Sequence, residues 1–509
     1  MKWFDRIAGF FAPAQTVDAF ARKRFFLKPK RVIRVDNRYD AAGDGRRSTS
    51  WNAPGSGPTE AILPRLSTLR NRARDAVRNN PHAQSAISSL VSNTIGTGIT
   101  PRPRHPDADI RARLIELWDE WTAEADADGR TDFYGLQALV ARAMFESGEC
   151  FVRLCHRPMA DDLSVPLQLQ ALEADFVPVS KNEIGKDGNI VRAGIEFDRR
   201  GQRVAYWIYR QHPGDNIPGA SVDALRVPAD EILHIFEPQR PGQIRGVPLL
   251  ATVLAKMKTL DDFDDAVLFR QEVANLFAGF IRKPVPEDAQ IDPTTGLQAT
   301  FDRDGSTPMT GIEPGSMQEL LPGEEVEFSD PPDAGNAYPD FMRQQSMAIA
   351  AGMGLPFELL TGDLRGVNDR VIRVVLNEFH RKIEQRQWGV FIHQLCRPAR
   401  AAWLDAAVLA GAIALPDYQN QRRAYLKTRW SPQGWAYIHP VQDVQATLLR
   451  IRSGLTSRSE AVLREGYDAE QIDAENAADN ERANRFGLVY DSDVRIQETG
   501  DGDQETEDR

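Results

Sequence analysis

Four carboxylates are concentrated in Asp261-Asp262-Phe263-Asp264-Asp265, within a segment of helical periodicity. In a helix, Asp261 and Asp265 lie one turn apart on the same face. Such a pair can hold a divalent cation through its oxygens. No histidine and no second acidic cluster accompanies it, so an acidic surface in contact with water is the preferred interpretation, and no metal ligand is predicted.

Histidine and cysteine supply the other candidate ligands. His380 and Glu384 are one helical turn apart, but His393 is thirteen residues from His380, too far along a helix to share a metal. Cys155-His156 and His234 lack further ligands at usable spacing. Roles on a helix surface, in the core or at a strand end are therefore favoured.

Short catalytic motifs are missing from the sequence. There is no GxxxxGK[ST] loop, no GxGxxG after a strand, no HExxH and no GxSxG. No catalytic residue and no cofactor is predicted. An enzyme whose site is assembled from distant residues stays open, although nothing positive supports one.

Composition narrows the class of protein. The 509 residues exceed what one hydrophobic core supports, and no apolar run is long enough to span a bilayer. The net charge of -11 is unlike that of a protein that grips phosphates over a broad surface, although such a protein could still surround DNA. Three cysteines without CxxC spacing indicate a reducing cytoplasm.

The N-terminal half begins with an apolar helical pattern at residues 1–11, interpreted as a short docking helix, with membrane-surface attachment as the alternative. An extended arm follows at 12–58.

Helices are predicted from about 60 to 79, 81 to 95, 108 to 124 and 134 to 147. An arginine run along the first helix is interpreted as a solvated face, with a phosphate contact as the alternative: Arg65, Arg70, Arg72, Arg74 and Arg78. A β-rich module occupies 150–236, with strands at 150–154, 167–172, 193–197 and 204–209.

A single long helix is predicted from Pro248 to Ile281 and carries the acidic cluster. A Pro-rich insert at 284–338 is predicted to be a small module of loops and short strand-like runs such as 325–328, and a helix at 339–353 follows. A loop then leads to a long helix at 369–411, which Pro398 should kink. Short helices are predicted at 440–453, 457–465 and 469–486, and the acidic tail should be disordered.

Several segments together carry a family likeness. They are Leu69-Arg70-Asn71-Arg72-Ala73-Arg74 with Asn79-Asn80-Pro81, Ile95-Gly96-Thr97-Gly98-Ile99, Asp132-Phe133-Tyr134-Gly135-Leu136-Gln137 with Glu146-Ser147-Gly148-Glu149, Gln170-Ala171-Leu172-Glu173-Ala174-Asp175, Arg245-Gly246-Val247-Pro248, and Trp430-Ser431-Pro432 with His439-Pro440. Together with the order of elements, they make the chain, over roughly residues 20 to 490, resemble the lambda-type portal proteins of tailed phages.

This resemblance implies an α+β portal fold with long stem and spine helices. The implied regions are an N-terminal arm (1–58), a wing (59–245), a stem helix (246–283), a clip (284–338), a second stem helix (339–354), a tunnel loop (355–369), a kinked spine helix (370–412), a wing return and crown (413–490) and a disordered acidic tail (491–509).

The resemblance also implies a function: a homo-oligomeric ring of about twelve subunits at one capsid vertex of the virion. Double-stranded DNA would pass through it during packaging and ejection. The terminase large subunit, capsid and scaffold proteins, and head-tail connector proteins would be its partners. It would be assembled in the host cytoplasm and would act as a conduit without enzymatic activity.

Residues near the DNA follow from the same resemblance. The tunnel loop would present Asp363, Leu364, Arg365, Gly366, Val367, Asn368 and Arg370, and the stem lumen would be lined by Lys256, Lys258, Asp261 and Asp265. Both signs of charge would then lie beside the duplex, which suits sliding better than tight binding.

Two alternatives remain. Another phage head protein would share the acidic composition but would not need two long helices bracketing a Pro-rich insert. A metal-dependent nucleic-acid enzyme would need gathered carboxylates, for which Asp261 to Asp265 is the only local candidate.

Overall fold

A computed structural model describes residues 53–185, 187–215, 223–275, 279–282, 325–328, 337–435 and 440–490. The chain is an α+β protein. The predicted docking helix, most of the arm and of the Pro-rich insert, and the acidic tail lie outside the described residues.

Four helices form the base of the fold, as the sequence predicts: α1 (Leu66–Asn79), α2 (Pro81–Thr94), α3 (Ala108–Glu124) and α4 (Phe133–Ser147). Side-chain oxygens cap three of them, because Asn80, Asp107 and Asp132 accept backbone N–H groups of the first turn. Helix α4 ends at Gly148, whose left-handed backbone conformation has φ of 92°.

Two antiparallel sheets follow α4, which confirms the predicted β-rich module. The strands are β2 (Glu149–His156), β3 (Leu167–Glu173), β4 (Glu183–Ile184), β5 (Ile190–Arg192), β6 (Ile195–Phe197), β7 (Arg203–Tyr209), β8 (Ala224–Pro228) and β9 (Ile232–Phe236). One sheet has the order β3-β2-β9 and the other β4-β5-β6-β7-β8. A separate pair joins β1 (Thr100–Pro103) to β12 (Thr428–Ser431).

Strand β2 separates two hydrophobic cores, because alternate residues of a strand point to opposite faces. Cys150 and Val152 belong to the larger core, which also contains the helical base and Trp403. Phe151 belongs to a smaller core with Tyr206 of β7. The sheet of β2 therefore joins the helical base to the five-stranded sheet.

The predicted single helix of 248–281, and with it the stem helix of 246–283, is wrong at both ends. Leu249–Thr252 is a 3-10 turn, α5 runs over Leu254–Asn275, and Gly279–Arg282 is strand β10. Strand β10 pairs antiparallel with β11 (Glu325–Phe328), the predicted strand of the insert. Phe280 and Ile281 favour an extended backbone. Pairing with β11 therefore makes this segment a strand, although the apolar spacing of the sequence predicts a helix.

The second half returns through α6 (Tyr338–Met353), as predicted, and Gly354 ends it in the left-handed conformation. The predicted loop of 355–369 is partly wrong, because it contains the short helix α7 (Phe357–Thr361). The predicted helix of 369–411 consists of α8 (Asp369–Arg386), a π-helical stretch (Gln387–Cys396) and α9 (Arg397–Leu409). The irregular stretch ends two residues before Pro398, which has no N–H for a regular helical bond.

The described part of the C-terminal region holds four more helices: α10 (Tyr418–Tyr425), α11 (Pro440–Arg452), α12 (Arg458–Arg464) and α13 (Ala469–Phe486). The last three confirm the predicted short helices, and none of their residues is buried. Within the described ranges, no helix combines the length and apolarity that crossing a bilayer requires.

Candidate functional site

The segment between α7 and α8 is a compact turn built around Asp363. Gly362 and Gly366 adopt positive φ angles of 71° and 73°, which allow the chain to reverse. The Asp363 carboxylate accepts the Arg365 backbone N–H at 3.0 Å and the Arg365 guanidinium through two contacts of 2.9 Å. Asn368 then caps α8 by accepting the Arg370 N–H at 3.0 Å.

Helix α6 holds this turn in place. Arg343 donates to the Arg365 carbonyl at 3.2 Å, and its guanidinium also lies 3.9 Å from the Asp363 carboxylate. Hydrogen bonds from Arg365 lower the pKa of Asp363 far below its usual range. The two charges of the turn therefore neutralise each other, and Leu364 and Arg365 remain mostly exposed, at 65% and 76%.

The four predicted lumen residues of α5 do not share one face. Helix positions two residues apart differ by about 200° in direction, so Lys256 and Lys258 point to nearly opposite sides. Lys258 forms an ion pair with Asp262, and Asp261 accepts a hydrogen bond from Asn80 at 3.3 Å. Asp265 is exposed. Among the described residues, no hydrogen bond or ion pair joins these residues to the Asp363 turn.

Helices α5 and α6 pack side by side in opposite directions. Thr252, before α5, donates to the Gly352 carbonyl near the end of α6 at 3.3 Å. Further along, the Phe263 ring lies 5.3 Å from that of Phe341, and the Tyr338 hydroxyl bonds to Asp264. Beyond this contact, Leu268 and Phe269 of α5 are more than half exposed.

A buried cluster of charged residues joins the helical base to the sheets. The Glu149 carboxylate accepts hydrogen bonds from Arg70 of α1, from Arg245 at 2.7 Å and from the Gly246 N–H at 2.8 Å. His234 of β9 lies 2.9 Å from the same carboxylate. Each of these four side chains, of Glu149, Arg70, Arg245 and His234, is at most 1% exposed.

The cluster holds fixed protonation states. Burial alone would raise the pKa of Glu149, but Arg245, Arg70 and the bond with His234 lower it far below its usual range. Burial lowers the pKa of His234 to about 4 despite its bond to Glu149. Arg245 also donates to the carbonyl groups of Ala193 and Ala174. One carboxylate therefore organises two guanidinium groups and three segments of chain.

Two glycines allow these segments to approach. A Cβ on Gly246 would overlap the Gly148 carbonyl oxygen, and a Cβ on Gly148 would overlap the backbone of Val247 and Pro248. These positions require glycine because two backbones meet there without side chains between them.

The charged cluster was not predicted from the sequence. Three of the segments that carry the family resemblance nevertheless contain its residues Arg70, Glu149 and Arg245. The arginine run on α1 was interpreted as a solvated face, which is correct for Arg65, Arg72 and Arg78 but wrong for Arg70 and Arg74. Arg70 is fully buried, and Arg74 pairs with Glu173 and Asp175. The available signal was the spacing of four, three and seven residues that puts Arg70 on the same helix side as the buried Leu66, Ala73 and Val77.

Among the described residues, one group of side chains has metal-ligand character. Glu173, Asp175 and His212 place one ligand atom each within 4.8 Å of one another. The Arg74 guanidinium lies 2.9 Å from Glu173 and contacts Asp175 as well, so an arginine supplies the positive charge there. Within the described ranges, Asp261 and Asp265 gather no third ligand.

Comparisons with known proteins agree on one family. The family model described as phage portal protein, lambda family, matches residues 44–387. The chain is 27% identical to the probable portal protein of Halomonas phage phiHAP-1, across 88% of this chain and 87% of that protein. It is 24% identical to the portal protein of Escherichia phage N15 and 23% identical to portal protein B of Escherichia phage lambda, each across 88% of this chain and 90% of the relative.

Among solved structures, the chain is similar to one from the virion of a native gene transfer agent particle. The TM-score is 0.41 and the identity 15%, with 82% of this chain and 97% of that chain covered. A chain from the neck of the native particle, computed with C12 symmetry, gives a TM-score of 0.39 and 14% identity over the same shares.

The family match covers well over half of the sequence, so the chain belongs to the lambda family of phage portal proteins.

Proposed function

We propose that about twelve copies of the chain form a ring at one capsid vertex, and that double-stranded DNA passes through the ring during packaging and ejection. The observation that carries this proposal is the family match over residues 44–387. The ring acts as a passive conduit, so no catalytic residue or cofactor is assigned to it.

The paired helices α5 and α6 are proposed as the stem. They run in opposite directions, and in the sequence β10 follows α5 while β11, its partner strand, precedes α6. The insert of 284–338 between the two helices is proposed as the clip. Leu268 and Phe269 of α5 are exposed apolar side chains. They support contact with neighbouring subunits, because burying apolar surface away from water is favourable. Residues 59–245 are then the wing and 413–490 the wing return and crown.

The Asp363 turn is proposed as the tunnel loop. Its internal ion pair leaves little free charge, and Lys258 is likewise paired with Asp262. Weak contacts of this kind permit sliding. Unpaired cations would bind the DNA phosphates, and each such contact would have to break as the duplex moves. Of the predicted stem residues, Lys258, Asp261 and Asp265 share one side and are proposed to face the lumen, whereas Lys256 faces elsewhere.

The partners follow from the same proposal. The terminase large subunit and the head-tail connector proteins would bind the clip at different stages, and capsid and scaffold proteins would contact the wing. The chain would be assembled in the host cytoplasm and would end as part of the virion.

The first test is the mass and symmetry of the purified full-length protein, by light scattering and electron microscopy. We expect a closed ring whose channel admits duplex DNA. A Phe269→Asp variant should shift the population toward monomers, because the charge would be buried between subunits. Phe269→Leu is the matched control. A wild-type protein that stays monomeric in the presence of scaffold would overturn the proposal.

The loop is tested by Leu364→Asp against Leu364→Asn, two side chains of equal size that differ in charge. Rings should assemble equally, and heads containing the Asp variant should retain less DNA because a row of added negative charges faces the duplex. Equal DNA content in both variants would place Leu364 away from the DNA.

A further inference from the structure

A small cavity of about 180 Å³ lies between β1, α3, α4 and α9, away from the proposed stem and tunnel loop. Its walls include Arg102 of β1, Trp118 and Asp119 of α3, and Tyr134 of α4. Arg400 of α9 also lines it and is only 1% exposed.

The Arg400 guanidinium is held rigidly. Its Nε donates to the Thr428 hydroxyl at 2.8 Å, and that hydroxyl donates to the Leu426 carbonyl at 3.0 Å. The guanidinium carbon lies 5.5 Å from the Trp118 ring centre and 5.3 Å from that of Trp403, within the range of cation–π contact. The side chain therefore cannot turn away without leaving both rings.

The two outer nitrogens of this guanidinium are unsatisfied. Within the part of the chain that the structure describes, neither Nη1 nor Nη2 has a hydrogen-bond acceptor. Burial lowers the pKa of Arg400 to about 10, so the group stays charged at neutral pH. A buried positive charge without a counter-ion is strongly unfavourable, and buried donors normally have partners.

The remaining polar groups of the cavity are mostly donors. Arg102 Nε is buried and also lacks an acceptor among the described residues. The Tyr134 hydroxyl oxygen accepts from Trp118 Nε1 at 3.3 Å, which leaves its proton free to donate. Asp119 is the exception, and burial raises the pKa of its carboxyl group, which shows that negative charge there lacks full solvation.

We propose that this cavity binds a small oxyanion of the phosphate class, with two oxygens on Nη1 and Nη2 of Arg400. The parallel N–H bonds of a guanidinium match two oxygens of one anion. The volume suits a single ion with a few water molecules and excludes a polymer. All the side chains that line this site belong to one subunit.

The test uses the full-length protein with inorganic phosphate as the probe and chloride at equal ionic strength as the control. Phosphate should raise the thermal unfolding midpoint in a saturable way, because a ligand that binds only the folded state stabilises it. Calorimetric titration should give one site per subunit. An equal effect of chloride would mean an adventitious ion only and would overturn the proposal.

Two variants give opposite expected signs. Arg400→Met keeps an unbranched chain between the two indole rings, and should weaken phosphate binding at least about tenfold. Asp119→Asn removes a negative charge from the cavity wall and should strengthen binding about threefold.

An undiminished phosphate response in Arg400→Met would refute the site. Should that variant fail to fold, Asp119→Asn decides: tighter binding supports the site, and unchanged affinity counts against it. Electron-microscopy maps with and without phosphate provide the direct check, since density explained by water alone at Nη1 and Nη2 would also refute it.

Discussion

The junction between the helical base and the sheets differs sharply from the three C-terminal helices α11 to α13. At the junction, Glu149, Arg70 and Arg245 are buried with their hydrogen bonds satisfied inside one subunit. In α11 to α13 no residue is buried, and α11 exposes an apolar stripe that includes Val441, Val444 and Leu448. One region is complete within a single chain, whereas the other leaves apolar side chains exposed.

This difference indicates where subunit stability and ring stability come from. A buried ionic cluster is costly to break, because removing one partner leaves the other charges unpaired. An exposed stripe contributes little to the isolated subunit and gains only when a second surface covers it. Changes at the junction should therefore act on folding, and changes on α11 should act on assembly.

The largest effect is expected from Glu149→Gln. The substitution keeps the shape but leaves two buried guanidinium groups without a counter-charge, so the free energy of unfolding should fall by about 3–5 kcal/mol. Chemical denaturation of the subunit measures it. Glu183→Gln, at an exposed strand end, should change stability by less than about 0.5 kcal/mol. Similar values for the two variants would show that the cluster is not a stabilising centre.

The next effect is steric. Gly246→Ala places a Cβ against the Gly148 carbonyl, and forcing two backbone segments apart should cost about 2–3 kcal/mol. Gly389→Ala is the control, since a Cβ there meets nothing within 4 Å and its φ is not positive. That variant should be neutral or slightly more stable. Equal unfolding midpoints for both variants would mean that the junction can relax at Gly246.

The same contrast explains what the sequence could predict. The helices of the base and the strands of 150–209 were predictable because period and capping residues agree with the structure. The cluster around Glu149 was not, because Arg70, Glu149, His234 and Arg245 are far apart in sequence and their burial depends on tertiary packing. The end of α5 was missed for a related reason, since the pairing of β10 with β11 decides it.

A smaller effect should appear as a pH dependence from His234. Burial lowers its pKa in the folded chain to about 4, below the usual 6.5 of a histidine, so between these values the unfolded chain binds a proton that the folded chain does not. The resulting stability is present above pH 6.5 and is lost as the pH falls toward 4, by about 1 kcal/mol per pH unit. His234→Gln should flatten the stability profile in this window. Exposed His156→Gln should leave it unchanged, and a wild-type profile without this slope would contradict the assignment.

The smallest effect on folding is expected on α11, where the effect on assembly should be clear. Val444→Asp and Leu448→Asp together should change the free energy of unfolding of the subunit by less than about 0.5 kcal/mol, because neither side chain is buried. The concentration needed for half-maximal ring formation should rise about tenfold or more, since two charges would enter a surface that a second copy covers. Ala446→Asp adds a charge on the opposite side of the same helix and should assemble normally. Loss of folding in the double variant would instead place the stripe inside the subunit, and normal ring formation would mean that a different partner covers it.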